Sequence, residues 1–125
     1  MAATITPVDR FRDIGWIETD LTATGSSDIL NGPCTVYAMR FINTGGGAVH
    51  AHIKVYDAVG ATNVTRPLLA FPIAGAQDRI IYFGAGLRFP IGCTIRATTG
   101  VMNHTGSDGS DPAVDVAVHV IGQEG

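Results

Sequence analysis

The sequence predicts an all-β protein, an antiparallel β-sandwich or jelly-roll-like single domain with an extended N-terminal arm. Three observations predict it. Apolar and polar residues alternate along several short segments, which is the period of a half-buried strand. Glycine- and proline-containing turns punctuate the chain between those segments. No long stretch sustains the 3.6-residue period of an amphipathic helix, so almost no helix is expected.

In chain order, residues 1–13 carry Pro7 and the charged run Asp9-Arg10-Phe11-Arg12-Asp13, and read as an extended arm preceding a domain over 14–125. The first strand is expected at 14–21, with Trp16 between Ile14 and Ile17 as a core or an interface anchor. A short strand follows near 28–30. Residues 34–43 put Tyr37, Met39 and Phe41 on one face and the nearly as apolar Val36, Ala38 and Ile42 on the other. A strand apolar on both faces is covered on both. Segments 68–73 and 78–83 read the same way, with Ile81 and Phe83 among the outward candidates.

Residues 47–57 alternate cleanly. Val49, Ala51, Ile53 and Val55 share one face, and His50, His52, Lys54 and Tyr56 share the other. A strand is expected at 91–98, and another at 113–121 with Val114, Val116, Val118 and Val120 inward and Asp115 and His119 outward. Turns are expected at Asn31-Gly32-Pro33, Thr44–Gly47, Gly60–Asn63, Ala74-Gly75-Ala76 and Gly84-Ala85-Gly86. Residues 100–112 read as a long polar surface loop. About eight strands with such spacing fit a sandwich or jelly roll.

Composition removes several function classes. The chain of 125 residues has a net charge of −3 and no basic run. Nucleic-acid binding relies on Lys and Arg against phosphates, so no nucleic-acid partner is expected. No apolar run reaches the ~20 residues of a membrane helix. The N-terminal residues lack the basic and apolar regions of a signal peptide, so the protein is expected to stay in the compartment of its synthesis. Cys34 and Cys93 lie outside any C-x-x-C pattern and are expected as inert buried thiols, a disulfide being the other possibility on parity.

His50-Ala51-His52 is the sharpest candidate for chemistry. Alternate strand residues point the same way, so the two imidazoles would sit about 7 Å apart on one face, suited to a shared metal. Gly45, His50, His52, Asp57 and Gly60, followed by Gly84, Pro90 and Gly92, resemble the two motifs of cupin jelly-roll enzymes. The departures are larger than the matches. Ile95 stands where the third histidine is expected, and the glutamate after the pair is missing, Asp57 falling at an offset that points it to the opposite face. Zinc or iron normally takes three or four protein ligands; His119 is the remaining outward histidine that could join. The pair is therefore expected to be two polar residues on an outer strand face, with no metal and no cofactor.

Asp108-Gly109-Ser110-Asp111 lacks the alternating ligands of a calcium loop. Ser26, Ser27, Ser107 and Ser110 lie in polar loops without a nucleophile elbow. Gly45-Gly46-Gly47 lacks the Lys and Ser/Thr of a phosphate loop. No catalytic residue is expected.

From Val36 to Gly92 the chain resembles small β proteins of tailed-bacteriophage particles. The resemblance is carried by the strand VYAMRFIN, a glycine turn, HAHIKVYDAVGAT, then Pro67-Leu68-Leu69, Ile73-Ala74-Gly75 and Gly86-Leu87-Arg88-Phe89-Pro90-Ile91-Gly92. It covers about half the chain. It implies a non-enzymatic virion structural protein, made in the host cytoplasm and sited on the capsid as a cement or decoration protein. The implied partners are itself, as a homotrimer, and the major capsid protein. Interface candidates are Phe11, Arg12, Trp16, Val36, Ala38, Ile42, Ile81 and Phe83. A cupin-like metalloenzyme, a neck, tail or fibre component, and a glycan-binding sandwich are the rivals.

Overall fold

The computed structural model describes residues 13–19, 21, 32–45, 50–61, 65–99 and 116–124. Seven strands run through them: β1 (Asp13–Glu18), β2 (Cys34–Asn43), β3 (Ala51–Asp57), β4 (Leu69–Ile73), β5 (Asp78–Phe89), β6 (Cys93–Thr98) and β7 (Val116–Glu124). No helix occurs among the described residues. Among the described residues the larger sheet has the order β1-β7-β2-β5 and the smaller one β4-β3-β6, with neighbouring strands antiparallel throughout. The expected arm, the short strand near 28–30 and the loop 100–112 lie outside the described residues, except that Asp13 opens β1.

The two sheets share one core, a β-sandwich-like arrangement. Trp16, Met39, Phe41, Val116, Val118 and Val120 of the larger sheet meet Ile53, Val55, Ile73, Ile95 and Ala97 of the smaller. Alternation puts these residues on inner faces, and burial of each aliphatic side chain contributes about 1.5–3 kcal/mol. Phe41 and Phe71 meet edge to face across the sheets, with centroids 5.3 Å apart, and the Arg79 guanidinium lies over the other part of that contact, 4.8 Å from the Phe71 ring. Buried Asn43 ties the sheet ends together. Its Nδ2 donates to the Ile73 carbonyl at 3.2 Å and its Oδ1 accepts from the Gly45 N–H at 2.9 Å.

Two irregularities correct the alternation read from sequence. The register of β2 shifts between Val36 and Ala38. A bulge reverses the parity of the strand, so Cys34 and Val36 before it and Met39 and Phe41 after it all point inward. Val36 therefore faces the core, not outward with Ala38 and Ile42. On β5 the expected turn at Gly84-Ala85-Gly86 is instead part of one long strand. Opposite Tyr37, the partners of β5 jump from Tyr82 to Leu87, and Gly84 and Gly86 absorb the detour with φ of 54° and 111°. A Cβ on Gly86 would collide with the Thr35 methyl group.

The remaining two-sided segment, 68–73, also resolves into ordinary alternation. Leu69, Phe71 and Ile73 turn toward the core, while Ala70 and Pro72 are exposed. The turn at 74–76 forms as expected: Gln77 N–H donates to the Ala74 carbonyl, and the Gln77 side chain accepts from the Ala74 N–H.

Candidate functional site

The interface candidates divide by face. Trp16 is buried in the core with Val36. Ile81 and Phe83 are half-buried and pack against that core, so they too face inward. Phe11 and Arg12 lie outside the described residues. Ala38 and Ile42 do point outward from β2, half-buried. The outward residues of β5 are Ile80 and Tyr82, one position away from those expected. Period-two reasoning could not select them, because both parities of 78–83 are apolar; the cross-strand register selects them.

That register builds a continuous outer face on the larger sheet. One row runs Gly15, Ile121, Ala38, Tyr82, and the next runs Ile17, His119, Arg40, Ile80. Ile17, Ile80, Tyr82 and Ile121 are all exposed, Tyr82 at 76%. Between them lies an open groove of about 260 Å³ lined by Ala38, Arg40, Ile80, Tyr82, His119 and Ile121. At its rim Arg40 clasps Asp78 through two hydrogen bonds, Nε to Oδ1 at 2.8 Å and Nη2 to Oδ2 at 2.5 Å. Donation from Arg40 holds the Asp78 carboxyl below its usual range.

The histidines separate. His52 projects from the outer side of β3 in the smaller sheet, because Ala51, Ile53 and Val55 fill its inner side. His119 projects from the outer side of β7 in the larger sheet. Outer faces of two packed sheets point in opposite directions, so His119 cannot join His50 and His52 around one ion. Burial, then Lys54 and His50, push the His52 imidazole below its ordinary value. The cupin-like Asp57, Gly60 and Gly92 serve a turn instead. Asp57 Oδ1 accepts from the N–H groups of Ile91 and Gly92 at 2.9 and 3.3 Å, and Thr94 Oγ accepts from Gly60 N–H at 3.1 Å.

The outer face of the smaller sheet is a different surface. His52 pairs with Thr98, Lys54 with Arg96 and Tyr56 with Thr94 across the β3–β6 ladder. Lys54, Tyr56, Thr94, Arg96 and Thr98 are all buried. Arg96 Nη1 donates to the Tyr56 hydroxyl at 3.0 Å.

Cys34 and Cys93 are free and buried, as expected. Burial pushes the Cys34 thiol up to about 11 and raises Cys93 as well. Thiols held protonated in this way are poor nucleophiles at neutral pH.

Comparison with protein-family models, curated proteins and solved structures finds no match to this chain.

Proposed function

We propose that this chain is a non-enzymatic virion structural protein, a homotrimeric cement or decoration protein that reinforces a phage head by contacting the major capsid protein. The observation that carries the reading is the exposed apolar face over Ile17, Ile80, Tyr82 and Ile121. Several large exposed apolar side chains on one sheet face, rimmed by the polar Arg40, Asp78 and His119, mark an interaction surface. The mechanism is mechanical, since area buried between neighbouring subunits raises the cost of separating them.

Strand order supports the jelly-roll form of the fold. An eight-strand jelly roll is an antiparallel ribbon pairing first with eighth, second with seventh, third with sixth and fourth with fifth, wrapped into two sheets. Taking β1 as the first strand and β2–β7 as the third to eighth reproduces both observed strand orders. The strand expected from the sequence near 28–30 lies outside the described residues. Jelly rolls serve capsid, lectin and cupin proteins alike, so the strand order supports the fold and leaves function to the surface.

Native mass spectrometry of the full chain tests the reading. A metal-free trimer is the expected result; a monomer carrying one transition metal per chain overturns it in favour of a metalloenzyme using His50 and His52. Deleting residues 2–13 should weaken binding to empty heads of the phage that encodes the chain and leave the far-UV circular dichroism unchanged. Unaltered head occupancy would reject the arm's role.

Tyr82 also favours a second reading. An exposed aromatic ring beside the Arg40–Asp78 pair resembles a sugar platform, and a glycan array reports on it directly.

A further inference from the structure

We infer that the outer face of the larger sheet is the copy-to-copy contact of this protein, with Tyr82 of one copy seated over Ala38 of another. This rests on the reading of the chain as an assembling structural protein and adds which surface assembles and how.

The face carries a knob and a notch side by side. Ala38 is the cross-strand partner of both Tyr82 and Ile121. A methyl group between two large exposed side chains leaves a depression, and the groove of about 260 Å³ lies there. The space suffices for one aromatic side chain. Tyr82, exposed at 76%, stands at the edge of that groove. Each copy therefore both offers a ring and accepts one, so knob and notch can join successive copies head to tail, as a closed ring such as a trimer requires. Tyrosine suits the role because it gives a large rigid contact with few rotors and a hydroxyl that tolerates water.

Charge points to the same occupant. Arg40 and Asp78 sit together on this face, each about half exposed. Because the cation and the anion neutralise each other through two hydrogen bonds, the face meets a second copy without net repulsion, whereas a strongly charged partner would gain nothing from it. Area sets the expected strength. Ile17, Ile80, Tyr82 and Ile121, with Arg40 and Asp78 around them, are fewer than the roughly 20–30 residues that each side of a standard interface contributes. That fits a weak, reversible contact between copies. Edge strand β5 adds a further reason for cover, since a long edge with exposed Ile80 and Tyr82 invites pairing.

Sedimentation velocity across a dilution series, on the full chain, tests the inference. The wild type should associate at ~100 µM and dissociate on dilution, with an apparent Kd in the micromolar range typical of modest interfaces. Tyr82→Ala removes the knob and Ala38→Phe fills the notch; each should weaken association at least about tenfold, as loss of a central aromatic anchor does. Leu68→Ala removes another exposed apolar side chain away from the face and should change nothing. Circular dichroism of Tyr82→Ala, whose side chain stands in solvent, guards against misfolding.

A wild type that stays monomeric at 100 µM overturns the inference. So does association that both face variants leave intact; if that assembly is still a metal-free trimer, the structural-protein reading survives and only the surface is wrong. Glycan binding abolished by Tyr82→Ala, with self-association unchanged, also overturns it. A metal-loaded monomer overturns the functional reading itself.

Discussion

The outer faces of the two sheets are opposites. On the smaller sheet Lys54, Tyr56, Thr94, Arg96 and Thr98 are polar yet buried. On the larger sheet Ile17, Ile80, Tyr82 and Ile121 are apolar yet exposed. Polarity alone would have assigned each face the other's environment. The first arrangement costs desolvation wherever a polar group lacks a partner among the described residues, as at the Thr98 hydroxyl. That cost is offset where partners meet, as Arg96 and the Tyr56 hydroxyl do. The second costs nothing in hydrogen bonding but leaves unrealised the burial energy of several large side chains, which a neighbour can supply. A covered polar face belongs to the fold of the chain; a bare apolar one is the face proposed here for assembly.

Substitutions can break that contrast. The largest effect is expected at Arg96. Arg96→Ala removes a buried cation and strands the Tyr56 hydroxyl, so urea denaturation should show a loss of about 3 kcal/mol. Its counterpart on the other sheet, Arg40→Ala, should leave the denaturation midpoint unchanged, because the Arg40–Asp78 pair is solvent-exposed. A comparable loss at Arg40 would mean that the two faces are energetically alike.

Gly86→Ala comes next. The substitution meets both a φ of 111° and the Thr35 methyl group. A cost of about 2 kcal/mol is expected from strain and displacement. Since this detour fixes which residues of β5 face outward, the same variant should also lower self-association. Retained stability together with retained association would show that the strand does not depend on the glycine.

The smallest effect is a pH dependence on the smaller sheet. His52 is held below its ordinary value by burial, Lys54 and His50, so the folded chain binds its proton more weakly than the unfolded one. Stability is then fully present above the unfolded value near 6.5 and declines as pH falls from there through the folded value. The decline should be small between pH 7 and 5, and His52→Gln should remove it. An unchanged profile in that variant would assign the acid sensitivity elsewhere.

Much of this was legible in the sequence where one face was plainly apolar. The alternation of 51–57 and 116–120 marked Ala51, Ile53, Val55, Val116, Val118 and Val120 as core, and they are buried. The two thiols were legible as well, since both fall in apolar strand patterns and both are free and buried. The candidate face was only half legible. Apolarity on both sides of 34–43 and 78–83 signalled a second apolar face, yet it named Val36, Ile81 and Phe83 where the structure turns Ile80 and Tyr82 outward. A one-residue error of phase exchanges the two faces of a strand, and neither bulge carries a local signature strong enough to set the phase.

Local chemistry thus determined the elements of this protein: strand period and turn residues marked an all-β chain. Tertiary structure alone decided which side of each strand meets the core, which of the paired polar residues are buried, and that His52 and His119 belong to opposite surfaces. The reason is physical. Alternation depends on nearest neighbours along the chain, whereas burial and facing depend on cross-strand register and on sheets that meet only after the chain has crossed between them.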